Sequence, residues 1–197
     1  DVANVIFHYF KDCFVCSNIR DNMWYFFNEW IGGRWELTEQ GHKLRSRLSN
    51  EIVDLYIYYQ KKYQEKAKEY EEESDFRTMY DNRVANCGKV IIKLKDSGYK
   101  DKIMKECKEY FYDNKFIDKL DDQKNLIGFE NGIYDLNKGI FRGGLPSDYI
   151  SLSTQLSLPI PKTMLPLGID DILEVVKEVE CYNELNDGLN DFLEKVF

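Results

Sequence analysis

The middle of the chain carries apolar side chains at spacings of three and four residues, and no other feature of the sequence restricts the fold as strongly. This spacing places side chains on one face of an α-helix, which must pack against a core. It predicts one long helix after Gly41 and a second that Ser74 or Asp75 caps and that Ser97-Gly98 terminates. The two stripes consist of Leu44, Leu48, Ile52, Leu55, Tyr59 and Tyr63, and of Phe76, Met79, Tyr80, Val84, Cys87, Ile91 and Leu94.

Shorter helices are predicted on both sides of this pair. A short amphipathic helix spans residues 2–10, one helix after the second stripe carries Ile103 and Cys107, and a further helix begins near Asp113 and includes Phe116. The connections between the helices of the middle region are short, which is typical of antiparallel neighbours. The chain is therefore expected to be mostly helical.

Two stretches of the chain favour β-structure instead. Aromatic blocks at residues 23–30 and 34–37 flank Gly32-Gly33, and a Gly-Gly pair in this position predicts a hairpin. Around residues 126–142, Asn131-Gly132 separates short apolar runs, and Asn-Gly supplies the positive φ angles of tight turns. The sequence thus predicts an α+β fold, mostly helical, with an N-terminal aromatic β-hairpin and a small antiparallel β-meander near residues 126–142.

The last quarter of the chain predicts a boundary between domains. Three prolines, Pro159, Pro161 and Pro166, fall within residues 158–168, and proline neither continues a helix nor donates to a β-ladder. We interpret residues 1–157 as one domain and residues 158–168 as a proline-rich linker. Residues 169–197 are expected to form the first helices of a following domain, so the sequence is expected to be cut from a longer polypeptide.

Charge and cysteine content restrict the possible functions. The net charge is −8, which disfavours a nucleic-acid binder that uses its whole surface, although a local basic patch is compatible with it. No apolar run approaches the roughly 18 to 20 residues that span a bilayer, so no membrane partner is expected. The five cysteines are an odd number without a disulfide framework, which favours an intracellular, reducing setting.

No motif in the sequence supplies a catalytic, metal or cofactor site. Cys13-x-x-Cys16 with His8 nearby could bind zinc or be redox active, but a fourth ligand is missing, and free thiols are the favoured interpretation. A phosphate-binding loop requires Gly-Lys-Ser/Thr, whereas Gly88-Lys89 is followed by a valine inside a helical stripe. We therefore predict no catalytic residue, no metal and no cofactor in residues 1–197.

One stretch of surface chemistry remains as a candidate nucleic-acid site. Residues 40–50 contain Lys43, Arg45 and Arg47 and no acidic residue, and Arg34 lies in the nearby aromatic hairpin. Basic groups beside aromatic rings can hold single-stranded nucleic acid. The alternative is that these are ordinary solvated charges over a core formed by the three tryptophans, Trp24, Trp30 and Trp35.

A set of motifs resembles a known family. The stretch at residues 126–136, LIGFENGIYDL, is followed by Gly139-x-Phe-Arg142 and by the stretch PSDYISLST at residues 146–154. Together they are similar to the signature of the domain that precedes the helicase in poxvirus-type primase-helicases of nucleocytoplasmic large DNA viruses. The resemblance continues upstream at residues 5–16, 24–35 and 44–51. Downstream, residues 189–197 resemble the lead-in to a superfamily 3 helicase domain, so the resemblance covers nearly the whole chain.

The resemblance implies a longer parent protein with a primase part, this collar-like domain and an AAA+ motor. That motor would use ATP and Mg²⁺ and form a hexameric ring that unwinds DNA. The chain itself would support hexamer assembly and DNA engagement without catalysis, and Asn131, Gly132 and Asp135 would serve the fold. The expected partners are copies of the protein, single-stranded DNA and other replication proteins in the host cytoplasm, where the virus replicates.

Two alternatives belong to different functional classes. The chain could be a purely structural protein–protein interaction module that makes no contact with DNA. It could also be a zinc- or thiol-dependent enzyme centred on Cys13 and Cys16, which the missing ligand disfavours.

Overall fold

The computed structural model describes residues 1–158, and it confirms an α+β fold. The residues after position 158 include most of the predicted linker and both helices expected after it, so those expectations lie outside the described residues. The elements, in chain order, are α1 (Val2–Phe10), β1 (Phe14–Asn18), β2 (Met23–Asn28), β3 (Arg34–Glu39), α2 (His42–Leu48), α3 (Glu51–Ala67), α4 (Asp75–Leu94), α5 (Ser97–Tyr110), α6 (Phe116–Lys119), β4 (Leu126–Phe129), β5 (Gly132–Asp135) and β6 (Ile140–Arg142).

The predicted aromatic hairpin exists as β2 and β3, but the sheet also contains a strand that the sequence analysis missed. Strand β1 pairs antiparallel with β2, with Phe14 opposite Phe26 and Cys16 opposite Trp24. Alternate residues of β2 point to opposite faces of the sheet. Trp24 and Phe26 enter the main core, whereas Phe27 packs with Trp35 of β3 and Phe116 of α6. This sheet is therefore apolar on both faces.

The first predicted long helix is in fact two helices. Helix α2 ends at Leu48, and α3 starts at Glu51 after Asn50, whose φ of −114° and ψ of −84° are not helical. Leu48 and Ile52 are four residues apart and both fully buried, so the apolar stripe continues across the break and conceals it.

The start of α4 is as predicted, but the assignment of Ser97-Gly98 is wrong. The Ser74 side chain accepts a hydrogen bond from the Phe76 amide and caps α4. Ser97 and Gly98 begin α5, because the Asp96 carboxylate caps that helix by accepting from the Tyr99 amide at 2.7 Å. The main core lies between the first sheet and helices α1 to α5, and its largest fully buried members are Trp24, Phe10, Phe14, Ile6, Leu44, Leu48, Ile52, Leu94 and Val5.

The predicted β-meander is confirmed as the antiparallel sheet β4-β5-β6. It has a small core of its own, formed by Leu126, Ile133 and Ile150. In its second turn, the Asp135 carboxylate accepts from the amides of Asn137 and Lys138. Asp135 therefore serves the fold by closing this turn with its side chain.

Glycines join the meander to the first sheet. A Cβ on Gly33, which has φ of +78°, would lie 2.5 Å from the carbonyl oxygen of Gly144. The Trp35 amide donates to the Ile150 carbonyl at 2.8 Å, and the Trp35 indole donates to the Pro146 carbonyl at 2.9 Å. The two sheets therefore meet backbone to backbone.

Segments of the chain also occupy the outer edge of the first sheet. At Cys16 of β1, the amide donates to the Phe111 carbonyl at 2.8 Å, and the carbonyl accepts from the Asp113 amide at 3.1 Å. The residues just after α5 thus cover the centre of β1. Among residues 1–158, no helix is long and apolar enough to cross a membrane.

Candidate nucleic-acid interface

Helix α2 presents the three predicted basic side chains on two sides. Leu44 and Leu48 are fully buried and anchor the helix to the main core. Lys43 and Arg47 are four residues apart and share one side, whereas Arg45 lies on another. The structure therefore divides the basic cluster that the sequence predicted as one group.

Lys43 and Arg47 lie over aromatic rings of the first sheet and α1. The Lys43 Nζ atom is 5.3 Å from the centre of the Phe26 ring, and the Arg47 guanidinium carbon is 5.2 Å from that of Phe14 and 5.5 Å from that of Phe10. Arg47 also approaches Glu51, with 3.4 Å between Nε and Oε1. The rings position both cations.

Arg45 turns towards α5. Its Nε and Nη2 atoms donate to Asp101 Oδ1 at 3.1 and 2.8 Å, and Nη2 also approaches the Ser97 carbonyl at 3.4 Å. Close by, Lys100 Nζ donates to Ser49 Oγ at 2.9 Å, so α5 adds a fourth cation beside the end of α2. No local sequence pattern predicts Lys100 at this place, because only the packing of α5 against α2 brings it there.

Arg34 does not join this surface. Its side chain is only 7% exposed, and Nη1 lies 3.2 Å from Glu130 Oε1 in the turn between β4 and β5. The Ser153 hydroxyl donates to the same carboxylate at 2.6 Å. Hydrogen bonds from Ser153 and Arg34 hold the pKa of Glu130 below its usual range. Arg34 thus links the first sheet to the meander.

The cysteine pair lies at the start of the first sheet, and burial disfavours reactive thiols there. Cys13 is half-buried and Cys16 is buried, and both are free thiols. Burial raises the pKa of Cys13 to about 11 and raises that of Cys16. Thiols are nucleophiles and metal ligands only as thiolates, which are scarce at neutral pH under these conditions. Within residues 1–158, no group of three or more His, Cys, Asp or Glu side chains is placed to hold a metal ion.

Comparison with known proteins identifies the family. The family model described as D5 N terminal like matches residues 3–180. A protein of Acanthamoeba polyphaga mimivirus that is named a "putative helicase" is 34% identical over 153 residues, which is 78% of this chain. Proteins with the same kind of name match from Frog virus 3, at 27% identity over 84% of the chain, and from Invertebrate iridescent virus 3, at 37% over 55%.

The chain corresponds to a small part of these viral proteins. It spans 15% of the length of the mimivirus protein and 20% of the Frog virus 3 protein. The family model covers most of the chain, and the resemblance found in the motifs at residues 126–154 is confirmed. The chain belongs to the D5 N-terminal-like family, and it is similar to proteins of large DNA viruses that are named as helicases.

Proposed function

We propose that the chain is a non-catalytic part of a viral DNA-replication primase-helicase. In this role it supports hexamer assembly and helps a downstream ATP-driven motor of the superfamily 3, AAA+ type to engage DNA. Membership of the family and the names of the viral relatives support a helicase parent. ATP and Mg²⁺ would then act in the motor, outside residues 1–158.

The observation that carries the DNA-binding part is the basic surface of α2, where Lys43 and Arg47 lie on one side of the helix and Arg45 on another. Phosphate contacts supply most of the affinity for a single strand, and basic side chains make those contacts. Both arginine side chains are 34% exposed, and their carboxylate partners Asp101 and Glu51 are more exposed still. Exposed ion pairs of this kind contribute about 1 kcal/mol or less, so a DNA phosphate can compete with the carboxylates.

A local basic surface is compatible with the net charge of −8, because the charges are unevenly distributed. Acidic side chains are concentrated at the turn between α3 and α4, where Glu71, Glu72 and Glu73 are exposed. The basic surface lies at the other end of α3, next to Asn50. Separated patches of opposite charge direct a polyanion to one side of a protein. In this proposal Arg34 has a structural role, because its guanidinium is buried against Glu130.

The proposed partners rest on the family and, for DNA, on the basic surface of α2. They are single-stranded DNA at the α2 surface, further copies of the protein in a hexameric ring, and other replication proteins. The setting is the host cytoplasm of an infected cell.

Fluorescence anisotropy with labelled single-stranded DNA at low salt tests the DNA contact. The test variant changes Lys43, Arg45 and Arg47 to Ala, and the control changes the exposed Lys61, Lys89 and Lys124 to Ala, so both lose three positive charges. If three phosphate contacts are lost, the slope of log K against log salt falls by about 2, since each contributes roughly 0.7 on a single strand. The control should resemble the wild type, and equal binding by all three proteins would refute the DNA contact.

Exposed apolar residues on α3 and α4 favour a second function, which is the binding of subunits or partner proteins without DNA. Tyr58 of α3 and Phe76 and Ile92 of α4 are all more than half exposed. Light scattering on a chain extended through the downstream helicase part separates the two functions. The basic variant is expected to lose DNA binding and keep the ring mass. A ring that forms while the wild type and both variants bind DNA equally would support the second function.

A further inference from the structure

Trp30 is the most exposed large apolar side chain in the described part of the molecule. It is 95% exposed, whereas Trp24 and Trp35 are almost fully buried, so the expectation that all three tryptophans form the core is wrong for Trp30. A tryptophan that becomes buried removes about 150 to 250 Å² of surface from water. Within residues 1–158 no element covers this side chain, so its burial is left to another part of the chain or to another molecule.

The backbone holds the Trp30 turn in a fixed place. The Trp30 amide donates to Asn28 Oδ1 at 3.1 Å, and Gly32, two residues later, has φ of +77°. A Cβ on Gly32 would lie 2.4 Å from the Gly132 amide nitrogen, so the Trp30 turn is pressed directly against the turn between β4 and β5. A backbone that is already ordered lowers the entropy cost of burying the side chain in a partner.

A cavity of about 350 Å³ lies between α1, α5 and α6, and its lining is mainly aromatic. Eight of its fourteen lining residues are Phe, Tyr or Trp, so it suits an aromatic guest. Phe7 stacks on Tyr110 with 6.0 Å between ring centres. Phe116 packs edge to face against Trp35 at 4.9 Å and against Tyr149 at 5.9 Å. A further aromatic ring can pack against such walls in the same geometries.

The Trp30 turn borders this cavity. The Gly144 amide donates to the Gly32 carbonyl at 2.9 Å, and Pro146, two residues after Gly144, lines the cavity. Residues 14–15 of β1 also line it, and β1 pairs with β2, the strand that leads into the turn. The exposed indole and the cavity therefore lie side by side on the surface. Trp30 is not one of the lining residues, so it does not fill the cavity of its own chain.

The polar groups at the cavity suit an indole with an acidic neighbour. The N–H of an indole is its one polar group and acts only as a donor. Asp12 lines the cavity and is exposed, so its carboxylate can accept from that N–H. Lys11, which is also an exposed lining residue, can pair with Glu29, the residue before Trp30. The surface around the cavity is thus complementary to the Trp30 turn in both shape and charge.

We propose that Trp30 of one copy of the chain inserts into the aromatic cavity of a second copy, which inserts its own Trp30 in return. Because the turn and the cavity lie side by side, one two-fold axis can satisfy both contacts, and two-fold dimers are the commonest symmetric assembly. Two indoles account for about 300 to 500 Å² of buried surface, less than the roughly 1,200 Å² of a standard interface, so the pair is expected only at high protein concentration.

This contact differs from those of a ring. A reciprocal pair is closed, whereas a ring needs a contact that continues from one subunit to the next. The inference also needs no DNA. It can therefore fail while the proposed function holds, and the reverse.

Fluorine NMR of the 197-residue chain labelled with 5-fluorotryptophan tests the contact. The resonance of Trp30 is identified by its loss in Trp30→Phe. We expect the Trp30 and Trp35 resonances to shift as the protein concentration rises, because Trp35 lines the cavity. The resonance of Trp24, which lies in the main core, should stay constant. Sedimentation velocity should show the mass rising from one copy towards two over the same range.

Two variants separate the inserted side chain from the cavity. Trp30→Ser removes the side chain, and Tyr112→Ser removes a ring of the cavity wall that is 46% exposed. Each should weaken self-association about tenfold or more, as expected for an interface hot spot. Excess unlabelled Trp30→Ser, which keeps the cavity, should shift the Trp30 resonance of labelled Tyr112→Ser, whereas the unlabelled double variant should not. The matched control Tyr58→Ser removes a ring of α3 that is 60% exposed and should associate like the wild type.

Each other result overturns the proposal. A Trp30 resonance that does not change up to the solubility limit would show that no second copy binds it, and this result does not depend on how any variant folds. Association that Tyr58→Ser weakens and Tyr112→Ser leaves intact would assign the contact to another surface. Equal effects of Trp30→Ser and the double variant on labelled Tyr112→Ser would show that the cavity is not the binding site. Near-ultraviolet circular dichroism, which reports on Trp24 and Trp35, verifies that each variant is folded.

Discussion

The two sheets of this protein have similar topology and very different surroundings. The first sheet is covered on both faces, because Trp24 and Phe26 enter the main core and Phe27 and Trp35 enter a second cluster. The meander has one buried side around Ile133, while Leu136 and Ile140 remain exposed. The first sheet is thus part of the main core. The meander depends more on turns, side-chain hydrogen bonds and its contact with the first sheet.

The largest expected effect tests whether the first sheet is central to stability. Trp24→Ala removes a fully buried side chain and should lower the free energy of unfolding by about 3–5 kcal/mol in urea denaturation. Leu136→Ala in the meander is the control and should change it by about 0.5 kcal/mol or less, because the side chain is exposed. Similar losses for both variants would contradict the difference between the two sheets.

The junction between the sheets is expected to tolerate no side chain. Gly33→Ala should cost about 3 kcal/mol or more, since the left-handed backbone costs about 1–2 kcal/mol and the new Cβ collides with Gly144. Gly139→Ala is the matched control: its φ of +66° is also positive, but a Cβ there meets nothing within 4 Å. Its cost should be limited to about 1–2 kcal/mol in the same measurement. Equal losses would show that the backbone contact between the sheets is not tight.

The smallest of these effects concerns the ion pair that closes the meander. Arg142 donates to both oxygens of Asp148, at 2.6 and 2.8 Å, and the Leu145 amide donates to the same carboxylate at 2.8 Å. Burial alone would raise the pKa of Asp148, but these hydrogen bonds hold it below its ordinary value of 3.8. Asp148→Asn should therefore cost about 1–3 kcal/mol at neutral pH.

The pH dependence has a definite sign. A carboxylate whose pKa is lowered in the folded state stabilises the protein at pH values above its pKa in the unfolded chain. This contribution is lost as the pH falls below 3.8 and through the pKa of the folded state. The unfolding free energy of Asp148→Asn should decline less steeply in this acid range than that of the wild type. Asp113→Asn, which removes the exposed partner of Lys119, is a control with a smaller expected effect. Parallel acid profiles for Asp148→Asn and the wild type would contradict the role of this ion pair.

Sequence patterns predicted the elements whose signals are local. Helical stripes located α3 and α4, the Gly32-Gly33 turn located β2 and β3, and Asn131-Gly132 located the meander. Strand β1 is not predicted because it is short and its Cys16 belongs to a Cys13-x-x-Cys16 spacing that resembles a metal motif. The expectation that Trp30 joins Trp24 and Trp35 in the core is wrong, since its side chain is 95% exposed. Hydrophobicity does not indicate which aromatic residue of a block stays outside the core.

At the candidate site, too, sequence patterns predict only what is local. Lys43, Arg45 and Arg47 were found from an 11-residue stretch that lacks acids, and the structure places all three on α2. The partner of Arg34 is 96 residues away in sequence, at Glu130, and Lys100 reaches α2 only through the packing of α5. Contacts at such separation depend on tertiary structure, which a single sequence does not encode in any local pattern.

The occupied edges of the first sheet restrict how copies of this domain can associate. Phe111 and Asp113, which follow α5, bond both backbone groups of Cys16, and the Ile150 carbonyl accepts from the amide of Trp35. Free strand edges are the usual route by which sheets of separate chains merge into a continuous ladder. Where these groups are already bonded, at Cys16 of β1 and Trp35 of β3, a strand of another chain cannot add to the sheet.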